Sequence, residues 1–360
     1  MTMTISGSSG LIFPDGSGQE TGIGRNRIIN GAMVIDQRNA GASIGAGYAV
    51  DRFAADNGTD GVFTQQQVTD APAGFNYSVK ITVTTADASI TAGQYSSFFQ
   101  AIEGYNLADF NWGTANAKTV TLSFWVKSSL TGTFGGSLRG ASNTRSYPYT
   151  YTISVANTWE YKTVTIVGET SGTWIVNNGS GVQVFFNLGT GTTLSGTAGA
   201  WASASYRNAT GTTNVLETLN ATWYITGVQL EVGSTATPFE RRLYGQELAN
   251  CQRYYIRYGY PVNTPADGQR FATAIGSSST EVLGIIPTPC SMRATPTSTY
   301  NSVGVGNSAG VAQLTSLTTT AIHSNSIYVV GTFASGISSN SAYQFRYYSA
   351  TGFMDFSAEL

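Results

Sequence analysis

Apolar residues recur at every second position in several short stretches of the chain. Over residues 77–84, Val79, Ile81 and Val83 alternate with Ser78, Lys80, Thr82 and Thr84, the period of a strand with one buried face. Val120, Leu122, Phe124 and Val126 alternate in the same way with Thr121, Ser123, Trp125 and Lys127. Residues 159–167 and 182–188 continue the set. Residues 223–232 predict a last strand, with Tyr224, Thr226, Val228, Leu230 and Val232 on one face and Trp223, Ile225, Gly227, Gln229 and Glu231 on the other. A first strand is expected over 27–35, around the Asn30-Gly31 turn signal. Strands separated by Gly-rich turns, with almost no helical period, predict a jelly roll or related β-sandwich over about 26–236. The Gly/Thr/Ala-rich stretch 189–211 is too irregular for a strand and is expected as a surface loop.

The pattern changes after Gly233. Thr237, Pro238 and Glu240 fit the N-cap, first-turn and third positions of a capping box. Tyr244, Leu248, Cys251 and Tyr255 then share one helical face, so a single short connecting helix is expected within 237–255. Beyond it, candidate strands at 272–276, 280–286, 297–305, 326–332, 342–348 and 352–359 predict a smaller β domain over 256–360. Pro287, Pro289 and Pro296 confine its middle to edges or loops. The expected class is therefore mainly β. Residues 1–25 are too poor in apolar side chains to fold alone.

The run GVQLEVGSTATPFERRLYGQELANCQRYY (227–255) resembles the hallmark joint of a phage tail-fibre family, in which it follows a jelly-roll domain like a carbohydrate-binding module. NRIINGAMVIDQRNAGAS (26–43), TVTLSFWVKSSLTGTFGGSLR (119–139) and NTWEYKTVTIVGET (157–170) fit the same family. The resemblance covers about residues 25–255; the remainder matches more loosely, through PTPCSMRATPT and FMDFSAEL. It implies a virion-associated tail or neck fibre, made in the host bacterial cytoplasm, that attaches to a bacterial surface polysaccharide. In such a fibre residues 1–25 would join other virion tail or neck proteins, a plain disordered tail being the alternative. A fibre is also expected to be a homo-oligomer, most simply a homotrimer. The stripe Tyr244, Leu248, Cys251 and Tyr255 is then a candidate subunit interface, unless it docks on its own domain.

Composition narrows the function classes. Charged residues make up 11% of the chain, against about 25% in ordinary soluble domains. The surface is thus covered by uncharged polar groups, and weak dependence on salt is expected. The net charge is −2 and no basic cluster exceeds the Arg241-Arg242 pair, which argues against nucleic acid. No apolar run approaches the ~20 residues of a membrane span. Cys251 and Cys290 read as small buried residues rather than a disulfide framework. The polar first ten residues read as no secretory leader.

Catalytic signals are sparse. His323 is the one histidine. Asp51, Asp56, Asp60, Asp70, Asp87, Glu103 and Asp109 are carboxylates without a pairing signal for glycoside hydrolysis. Residues 56–61 (DNGTDG) offer oxygens of the kind calcium takes, without the EF-hand pattern; a turn is the plainer reading, and no cofactor is expected. Aromatic residues, 12% of the chain, are the stronger lead, because sugar faces stack on Trp and Tyr. Trp112, Trp125, Trp174, Trp201, Tyr147 and Tyr149 are the candidate glycan contacts, Tyr147-Pro148-Tyr149 being expected as a turn; core or interface packing is the competing reading for each. The expected function is non-catalytic attachment, with a glycan-cutting depolymerase and a purely structural fibre as alternatives. Recognition is expected at the Tyr-rich 256–360 region, as the distal tip, with the Trp loops as a second site.

Overall fold

The computed structural model describes residues 4–6, 10–12, 18–19, 24–142, 144–308 and 310–360. The chain divides into two compact units. One takes residues through Val34, Gly45–Gly47 and Ala54–Arg242; the other takes Ile35–Ile44, Tyr48–Phe53 and Leu243–Leu360. Within residues 1–25, β1 (Thr4–Ser6), β2 (Gly10–Ile12) and β3 (Gly18–Gln19) form a small sheet in that order. The attachment role expected of this segment falls largely outside the described residues.

The first unit is a β-sandwich of the jelly-roll class. After β4 (Gly47–Val50), most of which falls in the second unit, come β5 (Phe53–Asn57), β6 (Val62–Val68), β7 (Ser78–Thr85), β8 (Tyr95–Glu103), β9 (Val120–Ser128) and β10 (Gly132–Gly140). They are followed by β11 (Ser146–Ile153), β12 (Glu160–Ile166), β13 (Ser180–Thr190), the short pair β14 (Ser195–Gly196) and β15 (Asn208–Ala209), and β16 (Thr222–Val232). One sheet runs β11-β10-β13-β8-β5 and the other β12-β9-β16-β7-β6. Alternation sends Val79, Ile81, Val83, Leu122, Phe124 and Val126 inward, where they are fully buried. Their partners come from the opposite sheet: the Phe124 ring lies 5.0 Å from Phe186, and Trp223 lies 5.8 Å from Phe98. Such interlocked rings each bury about 150–250 Å² and dominate the core energy.

Three local expectations fail for identifiable reasons. Residues 27–35 are not a strand, because the Asn26 side chain takes the place of ladder backbone. Its Oδ1 accepts from Ile28 N and Leu230 N, and its Nδ2 donates to Val228 O. Asn30 then turns through the left-handed region at φ 60°. In β16 the expected alternation breaks at a bulge between Thr226 and Gln229, where Gly227 has φ 63°. The extra residue shifts parity, so Trp223 and Ile225 share the core face with Val228 and Leu230. Tyr147-Pro148-Tyr149 is no turn but part of β11, and Pro148 is tolerated because β11 is the end strand of its sheet order. The stretch 189–211 is held down as well as loop-like: Ser137 Oγ donates to Tyr206 O at 2.8 Å, and Arg207 covers the Phe185 ring at 4.8 Å.

The second unit contains α1 (Tyr244–Gln252), β17 (Tyr255–Gly259), β18 (Arg270–Gly276), β19 (Glu281–Pro287), β20 (Thr297–Asn301) and β21 (Val303–Gly306). It ends with β22 (Val311–His323), β23 (Ser326–Phe333), β24 (Ala342–Tyr347) and β25 (Phe353–Ser357). Strands β18-β19-β23-β22-β21-β24 close a barrel, and β17-β25-β20 form a separate sheet. Val282, Ile286, Val305, Ile327, Phe345 and Phe356 are in its core. The helix begins at Tyr244, with Leu243 as an N-cap that makes no side-chain bond. The capping-box residues lie before it and are not helical. The expected stripe disperses accordingly: Tyr244 is 65% exposed, Leu248 half-buried, Cys251 buried, and Tyr255 already belongs to β17.

This unit also buries charge. Arg52, 2% exposed, pairs with Glu359 and lies over the Tyr254 ring at 3.6 Å. Arg38 reaches the same Glu359 at 3.1 Å and lies over Tyr255 at 3.5 Å. Asp51 accepts from Gln37 N at 3.1 Å and from Gln37 Nε2. Burial pushes the Asp51 carboxyl up to about 6, although Arg38 and the Gln37 donors pull the other way.

Candidate functional site

The segment after β16 is a strap laid on the outer face of the second sheet. Glu231 accepts from Thr237 N at 2.8 Å and from Thr237 Oγ1 at 2.7 Å. Gln229 Oε1 accepts from Glu240 N at 2.8 Å, and Gln229 Nε2 donates to Glu231 at 2.8 Å. Both side chains are buried although their face points away from the core. Glu240 is the strap's hub, accepting from the backbone N–H groups of Gly24 (3.0 Å), Arg25 (3.3 Å) and Asn26 (2.7 Å). Burial alone would raise its carboxyl; the donors at Asn26 and Gly24 and the Arg242 charge outweigh it and hold the group below its ordinary value. Arg242 donates to Ile28 O and Asn26 O, and Arg241 to Gly74 O.

Between strap and sheet opens a groove of about 490 Å³, lined by Phe75, Ser123, Trp125, Tyr161, Gly227, Phe239 and Arg241 together with residues 236–238. Trp125 of β9 stands directly opposite Tyr161 of β12, with ring centroids 5.4 Å apart. Phe75 meets Phe239 edge-on at 5.1 Å, and the Arg241 guanidinium lies 4.7 Å from the Phe75 centroid. The bulge shapes this surface: a Cβ on Gly227 would come within 2.8 Å of Phe75 and 3.0 Å of Trp125. Of the expected contacts only Trp125 lies here. Tyr161, Phe75, Phe239 and Arg241 were not expected, and only the cross-strand position of Tyr161 was within reach of sequence pattern.

The other candidates gather elsewhere in the same unit. Trp112, Trp174 and Trp201 meet edge-to-face with centroids 4.8, 5.2 and 5.5 Å apart, and Tyr147 lies 5.3 Å from Trp201. Their indole N–H groups are all taken by backbone carbonyls, at Lys118, Ser171 and Val167. Gly113 permits the close approach, since a Cβ there would sit 2.6 Å from Gly172 O. Beside the cluster Arg145 pairs with the buried Glu169. Trp112 is itself buried, while Trp174 and Trp201 keep part of their surface. Tyr149, expected on an exposed turn, is a core residue whose hydroxyl donates to Phe185 O at 2.7 Å.

Four of the seven carboxylates named from sequence are in ion pairs, Asp51 with Arg38, Asp56 with Arg207, Asp70 with Lys127 and Asp109 with Arg27, while Asp60 accepts from Gln94 and Asp87 from the backbone of Asp60 and Ser89. The 56–61 loop closes on itself, Asn57 Nδ2 donating to Gly61 O at 2.8 Å. Among the described residues no group of three or more His, Cys, Asp or Glu is arranged to hold a metal ion. His323 is exposed at the end of β22, 5.0 Å from the Tyr328 ring.

No family model and no curated protein matches the chain. Solved structures do. The enzymatically active domain of tailspike protein 4 from bacteriophage CBA120 aligns at 14% identity and a TM-score of 0.33, over 58% of this chain and 21% of that one. The module TmCBM61 in complex with β-1,4-galactotriose aligns at 8% identity and a TM-score of 0.30, over 58% of this chain and all of its own (100%). A family 11 carbohydrate-binding module from Clostridium thermocellum, in complex with a β-1,3-1,4-mixed-linked tetrasaccharide, aligns at 11% and 0.27, over 54% and 96%. The chain therefore spans about a fifth of the tailspike domain's length.

Proposed function

We propose that the chain is a non-catalytic glycan-binding protein of a phage tail or neck fibre, attaching the particle to a bacterial surface polysaccharide. The observation that carries the reading is the groove on the first unit: half-exposed aromatic rings face each other across about 490 Å³, with hydroxyl, indole and guanidinium groups among them. A pyranose offers an apolar face to such rings and polar groups at its rim. The resemblance of the 227–255 segment to the tail-fibre joint supplies the biological setting. In that setting residues 1–25 join the particle, three copies assemble, and residues 256–360 form the distal part. Each site then needs only millimolar to micromolar affinity, roughly −4 to −8 kcal/mol, because repetition about an axis multiplies it.

The test is retention of the full chain on surface polysaccharides from a panel of bacteria, with polymer length followed during incubation. Retention without shortening is expected, and Trp125→Ala should weaken it about tenfold or more while leaving the melting temperature nearly unchanged. Shortening of the polymer would establish the depolymerase instead. No retention by any polysaccharide, with whole-cell binding also absent, would leave a structural fibre.

A further inference from the structure

We propose that the groove selects a carboxylate-bearing sugar, whose acid group meets Arg241 while its ring lies against Trp125 and Tyr161. This rests on the glycan-binding reading above and narrows it to one charge class. The first support is a set of unengaged donors. Trp112, Trp159, Trp174, Trp201 and Trp223 all donate their indole N–H to a protein acceptor. Trp125 is the one tryptophan whose N–H finds no partner among the described residues, and it lines the groove. The Tyr161 and Ser123 hydroxyls are likewise without a partner among them. Ser123 is only 2% exposed, and the surface left to it opens on the groove. These groups keep contact with solvent, and a sugar ring settling in the groove would displace that water, so the ligand must supply acceptors in its place.

The second support is charge. Arg241 is the one charged side chain among the described residues that line the groove, and no carboxylate or side-chain amide lines it. Its guanidinium is held over Phe75 at 4.7 Å and Phe239 at 5.6 Å, with Nη2 donating to Gly74 O; Nε and Nη1 have no partner among the described residues. An arginine fixed by stacking loses little freedom when it bonds an anion. The Thr237 hydroxyl is already committed to Glu231. A neutral sugar, rich in hydroxyls that must donate as well as accept, finds few side-chain acceptors here. A carboxylate, which only accepts, matches the lining. The acid could belong to a hexuronate or to a nine-carbon ulosonate; the shared chemistry is a ring carrying a carboxylate.

The experiment titrates the full chain with oligogalacturonate, with sialyllactose, and with the carboxyl-reduced form of each, following tryptophan fluorescence and heat. At least one acidic glycan is expected to bind tenfold or more tighter than its reduced form, and more weakly as salt rises. Arg241→Gln should erase that preference and Arg241→Lys should keep part of it. Trp125→Phe should weaken the acidic ligand several-fold by removing the N–H while keeping a ring. Thermal melts of the variants guard against loss of fold; should Arg241→Gln melt early, the Arg241→Lys variant and the salt series decide. Equal affinity for acidic and reduced glycans would overturn the charge assignment and leave glycan binding standing. Failure of every probe here, together with failure on the polysaccharide panel, would overturn both.

Discussion

Single residues set the shape of the groove. Gly227 combines a positive φ with crowding from Phe75 and Trp125, so no other residue fits without movement. Gly227→Ala is expected to cost about 1–3 kcal/mol from strain and overpacking, read as a fall in denaturant midpoint, and to weaken glycan binding in parallel. An unchanged midpoint would mean that the strap moves aside freely. A second residue-scale effect concerns pH. The Asp51 carboxyl, raised from 3.8 to about 6 chiefly by burial, holds its proton more tightly in the folded than in the unfolded chain. Its contribution to stability is therefore fully present below about pH 4 and is lost as pH rises through 6. Asp51→Asn should remove that slope, seen by comparing denaturant midpoints at pH 4.5 and pH 7 for both proteins. A wild-type slope that persists in the variant would assign it to another group.

At the scale of elements, what the sequence shows is periodicity, and periodicity served well where side chains alternate without interruption. β7 and β9 follow their apolar pattern closely. β6 was hidden because Gln65-Gln66-Gln67 has no alternation of type, and β10 because Gly135-Gly136 leaves no side chain to read. The capping box is not formed, for a different reason. Thr, Pro and Glu at those spacings do suit a helix start, but here their hydrogen bonds go to other elements: Thr237 to Glu231 and Glu240 to the backbone at 24–26. Long-range partners cannot be read from local spacing. The strap gives its own prediction. Because the Glu240 carboxyl is held below its ordinary value of 4.5, the stability it adds is fully present above that pH and is lost as pH falls through the lowered value. Glu240→Gln should lower stability at pH 7 by about 1–2 kcal/mol and much less in acid. The same deficit at pH 3 would show that shape, not charge, is what Glu240 supplies.

For the molecule as a whole, the tryptophans show what sequence could and could not convey about a site. Trp112, Trp174 and Trp201 lie up to 89 residues apart along the chain, yet loops at one end of the sandwich bring them together. Their loop positions in the sequence already point to such a grouping. The groove has no such signal, since its aromatic walls come from four separate segments. The same holds for the second unit, whose membership is not contiguous: residues 35–44 and 48–53 belong with 243–360. The sequence offers no hint of this, because Gln37, Arg38, Asp51 and Arg52 resemble an ordinary polar loop. In the structure Arg38 and Arg52 pair with Glu359, Gln37 donates to Tyr255 O, and Asp51 accepts from Gln37. A fragment comprising 243–360 alone would keep the Glu359 carboxylate and lose both arginines that neutralise it. Removing one side of a buried ion pair costs about 3–5 kcal/mol, comparable to the whole stability of a small domain. The isolated fragment is therefore expected to lack cooperative thermal unfolding by circular dichroism, and Arg52→Ala in the full chain should lower the transition of the second unit. A fragment that melts as sharply, and at the same temperature, as the second unit of the intact protein would show that the buried charges are dispensable to its fold.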